Sequence, residues 1–138
     1  MPLDDNYGGS EHINGAILIV TDDIDVNIVL GGIFSLNGFK CFKCTSAQEA
    51  LEILEKYVGE INSMLVNGHI AADRGAMIFS KSKMIKPSIK IVVLANNDSA
   101  QTRVLSYGAD DFMLKPISAE TLTNRVITQL AKRQWQVS

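Results

Sequence analysis

Five times along this chain a short apolar stretch gives way to a longer segment with helical patterning. No other feature constrains the fold as tightly. Ala16–Val20 (AILIV) is continuously apolar, which suits a strand buried on both faces. Met64–Val66 and Ile89–Leu94 read the same way, and Phe39–Cys44 and Asp111–Leu114 are weaker strands. Helices fill the gaps. Ile24–Leu36 carries Ile24, Ile28, Val29, Ile33, Phe34 and Leu36, mostly on one face. Gly31 and Gly32 inside it cost about 1 kcal/mol each relative to Ala, and Asn37-Gly38 stops it. Ser46-Ala-Gln-Glu49 is a capping box that opens a second helix burying Ala50, Leu51, Leu54 and Val58. Asp73 is placed to cap a third helix that Pro87 ends after Lys86, and Asp98 a fourth that Gly108 ends. Ser118, with Glu120 in the first turn, opens the last helix, which turns Leu122, Val126, Ile127 and Leu130 inward. Strand followed by helix, repeated, predicts an α/β fold: a doubly wound five-stranded parallel sheet with five helices and right-handed crossovers. The pairs Asn14-Gly15, Asn37-Gly38 and Asn67-Gly68 would suit hairpins, but the latter two follow a helix and a strand of this alternation.

Composition narrows the classes of function. The chain has 138 residues, 46% of them apolar, which is enough for one domain with a core and no disulfide or metal staple. Thirteen Lys and Arg against fifteen Asp and Glu give a net charge of −2, which lacks the basic footprint of a nucleic-acid-binding domain. No apolar run reaches the ~20 residues of a membrane span. Residues 1–15 are polar, Gly-rich and acidic, unlike a secretory signal, and read as a flexible tail ahead of a domain over 16–138. Two cysteines without a signal indicate the cytoplasm.

In open α/β sheets the functional crevice lies outside the carboxyl ends of the strands, at a switch in strand order. That rule selects Thr21-Asp22-Asp23, Asn67-Gly68-His69, Ala95-Asn96 and Lys115-Pro116.

With those residues in place, the sequence resembles a response-regulator receiver domain. ILIVTDDIDVNIVL resembles the family's first strand, acidic loop and first helix, SAQEALEIL its second helix, and SYGADDFMLKPI its fifth strand with the Lys-Pro that follows. The likeness spans residues 16–133. It implies a flavodoxin-like sheet in the order 2-1-3-4-5. It also implies a phosphoacceptor Asp after the third strand, two acids holding Mg2+, a switch hydroxyl after the fourth strand and a Lys after the fifth. Onto those positions fall Asn67 for the acceptor, Thr21 and Asp22 for the acids with Asp23 beside them, Ala95 for the hydroxyl, and Lys115 with Pro116. Phe112 takes the place of the fifth-strand aromatic. An amide oxygen is a poor nucleophile, Mg2+ prefers charged oxygens, and Ala95 cannot donate a hydrogen bond.

The resemblance therefore describes a pseudo-receiver: a signalling module without catalytic residues or a cofactor, with at best weak Mg2+ binding at Asp22 and Asp23. It implies action by protein–protein contact through about residues 98–133, on a homodimer mate, a histidine kinase or an output domain. Nucleic acid and membrane are not expected partners. Two alternatives share the fold: a phospho-switch restored by deamidation of Asn67, whose Gly68 neighbour leaves the succinimide route unhindered, and a small-ligand domain using the emptied crevice.

Other features have structural readings. Lys115 is expected to pair with Asp22 or donate to Asn67. Asp22 and Asp23 otherwise read as solvated acids near a helix N-terminus. His69 lacks a second metal ligand nearby in sequence. Cys41 and Cys44 spell C-x-x-C, yet residues three apart on a strand face opposite sides. Lys81, Lys83, Lys86 and Lys90 read as a solvated basic face, and Trp135 lies beyond the last apolar stripe.

Overall fold

A computed structural model describes residues 12–132. Strands β1 (Ala16–Val20), β2 (Lys40–Cys44), β3 (Ile61–Asn67), β4 (Lys90–Ala95) and β5 (Asp111–Leu114) alternate with helices α1 (Ile24–Leu36), α2 (Ala47–Lys56), α3 (Gly68–Ile85), α4 (Gln101–Ser106) and α5 (Ala119–Lys132). The sheet is parallel throughout, in the order β2-β1-β3-β4-β5. No Asn-Gly pair makes a hairpin. Gly15 and Gly38 instead take the left-handed backbone, with φ of 84° and 86°, that their type tolerates. The tail expected up to residue 15 overlaps a bonded stretch: Asn14 N–H donates to the Gly38 carbonyl, and the Gly15 carbonyl accepts from Lys40 N–H. Residues 1–11 and Trp135 lie outside the described residues.

Side-chain alternation on β1 explains its continuous apolar sequence. Ile17 and Ile19 enter one core with Leu30, Phe34, Leu65, Leu122 and Val126, which is the α1/α5 side. Ala16, Leu18 and Val20 enter the other with Leu54, Val66, Ile78 and Phe79, the α2/α3 side. The two cysteines divide in the same way, Cys41 toward the first layer and Cys44 toward the second, and both are free. Burial pushes the Cys44 thiol up to about 12 and raises that of Cys41, so neither is a ready thiolate for metal or redox chemistry.

Three expectations need correction. Helix α3 begins at Gly68, not near Asp73, because Asn67 caps it: its Oδ1 accepts from Ile70 N–H at 3.0 Å. Asp98 does not cap α4 with its side chain; α4 starts after Ala100 without a side-chain cap, and only the Asp98 carbonyl accepts, from Gln101 N–H. The lysine cluster is not a solvated face. Lys83 binds the Asp110 carboxylate and the Ile89 carbonyl, each at 2.9 Å. Lys86 reaches the carbonyls of Val58 and Ile61, Lys90 is buried, and only Lys81 is exposed.

The fourth correction concerns α1, whose bounds match the sequence reading but whose rotation does not. Its buried residues are Asn27, Leu30, Gly31 and Phe34, and Ile24, Ile28, Val29 and Leu36 are exposed. Apolar residues encircle this helix, so periodicity alone has no preferred face to report. Three contacts choose the face. Asn27 Nδ2 donates to the Cys44 carbonyl at 2.9 Å. Gly31 lies against Lys43, whose Cδ would be 3.1 Å from any added Cβ. Phe34 meets Phe39 edge-on, with ring centroids 5.1 Å apart. Phe34→Ala should therefore cost about 3–5 kcal/mol in urea unfolding, whereas Leu36→Ser should stay within about 0.5 kcal/mol of wild type. Equal losses would mean the helix is rotated as the sequence suggested.

Candidate functional site

The carboxyl ends of β1, β3, β4 and β5 converge as topology requires, and the loop after β1 meets the end of β3. Thr21 follows Val20 into burial, and its Oγ1 accepts from Asp23 N–H at 3.2 Å. Asn67, the last residue of β3, sends its amide across to that loop. Its Nδ2 donates to Thr21 Oγ1 at 3.1 Å and to Asp22 Oδ1 at 3.0 Å. With Oδ1 held by Ile70 N–H, both ends of the amide are committed. One side chain thus caps a helix and ties β3 to the β1 loop.

The geometry of Asp22 and Asp23 does not suit a divalent cation. Only Asp22 faces the crevice, and its Oδ1 already accepts from the Asn67 amide. Asp23 turns back to cap α1, its Oδ1 accepting from Val26 N–H at 3.1 Å. Thr21 offers a neutral hydroxyl already engaged twice. Mg2+ takes charged or water oxygens in octahedral geometry, and the donors here are too few and turned elsewhere. No cluster of three or more His, Cys, Asp or Glu suited to a metal occurs among the described residues. The side chain that Asp22 meets besides Asn67 is His69, not the expected Lys115: His69 Nδ1 lies 3.5 Å from Asp22 Oδ2, with both side chains largely exposed. The signal is the spacing: His69 follows Asn67 by two residues and, because α3 begins at Gly68 and not near Asp73, lies in its first turn.

Lys115 also departs from expectation. It neither pairs with Asp22 nor donates to Asn67, since those two are bonded to each other, and its ammonium has no partner among the described residues. It lines a cavity of about 320 Å3 together with Asn67, Gly68, Ala95, Asn96 and Phe112. Its backbone N–H donates to the Ala95 carbonyl at 2.8 Å, and the Lys115–Pro116 peptide is cis. Ala95 and Phe112 are both buried. Gly68 packs so closely on β4 that an added Cβ would come within 2.5 Å of Ala95 Cβ, so the start of α3 needs glycine here.

Behind the cavity, β5 is fixed to α5. Arg125 grips the Asp111 carboxylate with two nitrogens, Nε to Oδ2 at 2.9 Å and Nη2 to Oδ1 at 2.5 Å. Partial burial alone would raise the Asp111 carboxyl, but the guanidinium and Phe112 N–H outweigh it and hold it below the usual range.

This fold and crevice define a receiver domain. The response regulator receiver domain family matches residues 17–127, and the chain belongs to that family. Among curated relatives, the aerobic respiration control protein ArcA of Escherichia coli is 26% identical over 118 residues, 84% of this chain and 48% of that protein. A cyclic di-GMP phosphodiesterase of Thermotoga maritima is 27% identical, covering 85% of this chain and 31% of its own length. The chain therefore spans about half or less of those relatives. Among solved structures, a CheY-like receiver domain protein from Methanospirillum hungatei superposes with a TM-score of 0.77 at 22% identity, covering 89% of this chain and 98% of that one. A receiver domain from Clostridium thermocellum gives 0.78 at 18% identity, with coverage of 89% and 99%. No helix among the described residues is long and apolar enough to cross a membrane.

Two outcomes test this site. Asn67→Asp keeps the helix cap but sets a second carboxylate about 3 Å from Asp22. In chelator-treated buffer at neutral pH it should lower stability by about 1–2 kcal/mol, and millimolar Mg2+ should restore part of that loss while leaving wild type unchanged. Asp111→Asn should cost roughly 0.5–1 kcal/mol at pH 7, a partly exposed bidentate pair. A lowered carboxyl stabilises above its unfolded-state value and loses that contribution as pH falls through the folded one. The gap between wild type and Asp111→Asn in chemical melts should therefore close below about pH 3.9.

Proposed function

We propose that this receiver domain signals without phosphorylation, as a non-enzymatic module that acts by protein–protein contact. The amide of Asn67 carries the reading. Its Nδ2 already satisfies Thr21 and Asp22 and its Oδ1 already caps α3, so the residue at the end of β3 is a structural tie in place of a nucleophile. A carboxylate there would need a cation to lie beside Asp22; the amide supplies its own positive hydrogens. Ala95 removes the hydroxyl that would follow a phosphoryl group inward, and Phe112 is already buried. A ligand shifts an equilibrium only through its differential affinity for two states, and this crevice has lost the attachment point for the usual one.

The same bonds speak against deamidation as a switch. The Asn67 side chain must rotate free of three hydrogen bonds before Gly68 N can reach its carbonyl carbon. A partner on the face from Asp98 to the end of α5 would then meet a single arrangement, with Leu105 and Leu114 as its exposed apolar points and Asp111–Arg125 holding β5 and α5 in register.

The test is intact mass after treatment with acetyl phosphate and Mg2+. Wild type should gain no hydroxylamine-labile phosphoryl group. The variant combining Thr21→Asp, Asn67→Asp and Ala95→Thr should gain one and should shift the amide resonances of Phe112 and Lys115. A labile adduct on freshly prepared wild-type protein, mapped to residue 67, would overturn the proposal.

A further inference from the structure

The crevice keeps one charged group with nothing to hold. Lys115 is half-buried just past the end of β5, and neither a hydrogen bond nor an ion pair engages its ammonium among the described residues. The cavity that it lines, of about 320 Å3, has the size of a small ligand site. Apolar side chains make up much of the wall: Leu94, Ala95 and Phe112, all buried, with Ala72 of α3 and Ala100 ahead of α4. The polar groups left available lean toward donors. Both ends of the Asn67 amide are committed. Asn97 Oδ1 accepts from Ser99 N–H at 3.0 Å and from the Ser99 hydroxyl at 2.6 Å, which leaves the Asn97 amide hydrogens for a ligand. No Asp or Glu is among the residues of this wall.

From this arrangement we infer that the cavity binds a small monocarboxylate with a compact apolar body, held noncovalently, its carboxylate on Lys115 and its body against Ala72, Ala95 and Phe112. The charges around the cavity select that class. Asp22 does not line it; Asp22 is bonded to the Asn67 amide and borders the neighbouring cleft beside Thr45 and Ser46. His69, which borders both, has its Nδ1 3.5 Å from Asp22. Asp98 follows Asn97 in the chain but is exposed and outside the wall. Lys115 also borders the apolar groove between α1 and α5, whose one acid, Asp25, makes no ion pair with it. One positive charge therefore acts in the cavity, and Asp22, on the other side of the Asn67 amide, opposes a second negative one. A phosphoryl group brings close to two negative charges at pH 7; a carboxylate brings one. Ala95 points the same way, since its methyl gives an oxygen-rich group no donor but gives an apolar body a contact. The site uses neither a nucleophile nor a cation, so it stands whether or not residue 67 accepts a phosphoryl group.

Titration of the full chain with benzoate, followed by amide NMR in buffer free of Mg2+ and of any phosphodonor, tests the inference. Benzoate should bind saturably, in the low-millimolar range or tighter, and move the resonances of Ala95, Ala100, Phe112 and Lys115. Benzamide, of the same shape without the charge, should bind about tenfold more weakly or worse. Acetate and inorganic phosphate, which lack the apolar body, should also bind more weakly than benzoate. Lys115→Met should keep its thermal midpoint and lose about tenfold or more in benzoate affinity, whereas Lys81→Met, at an exposed lysine of α3, should change nothing. Ala72→Leu fills the cavity while leaving the ammonium in place, and should abolish binding. A wild type that shows no saturable shift with benzoate overturns the inference. So does benzoate binding that survives Lys115→Met, or that survives Ala72→Leu in a variant with an unchanged thermal midpoint. Phosphate or acetate binding as tightly as benzoate also overturns it, since that is an anion meeting a surface charge and not a ligand in a cavity.

Discussion

The crevice is organised by one amide. A carboxylate at position 67 could cap α3 equally well, but it could not also donate to Thr21 and Asp22. The amide does both, because its oxygen and nitrogen face opposite demands: an unsatisfied helix N–H on one side and a carboxylate on the other. Hydrogen bonds to charged groups are worth about 1.5–3 kcal/mol each, more than those between neutral groups. With that tie go the start of α3 at Gly68, the close seating of Gly68 on Ala95, and a Lys115 whose ammonium meets no carboxylate among the described residues. An amide at this residue carries no negative charge and supplies the donor that a carboxylate would lack, so Asp22 meets a hydrogen there and not a second charge.

Much of this was legible in the residues. The strands announced themselves because a parallel sheet buried on both faces demands unbroken apolar runs, and Ala16–Val20 supplies one. Ser46, Ser118 and their first-turn acids marked helix starts that hold to the residue, since cap chemistry is local. The positions of Thr21, Asn67, Ala95 and Lys115 at strand ends followed from topology before any side-chain contact was known.

What was not legible depended on long-range choices. Asp73 is a plausible cap, and only the approach of Ile70 N–H to Asn67 shows that α3 has already begun. The lysines near Pro87 look like a surface cluster because sequence cannot show that Asp110, 27 residues beyond Lys83, folds back to meet it. Helix α1 is the sharpest case. Its apolar residues encircle it, so the buried face is chosen by Asn27, Gly31 and Phe34 finding partners on β2 and at its start. A polar residue and a glycine are poor advertisements for a core. The consequence is an apolar face turned to solvent that a periodicity argument would have placed inside.

The hydrogen bonds around Asn67 all close within residues 21–70. Among the described residues, the half of the domain from β4 onward contributes no side-chain hydrogen bond to them. The two halves are therefore separable for sequence change. Substitutions on the outer faces of α4 and α5 can reshape that half of the surface while the β1–β3 tie is untouched, and drift at the tie breaks its own hydrogen bonds. A domain divided in this way can vary the outer surface of one half over evolutionary time without first rebuilding the hydrogen bonds of the other.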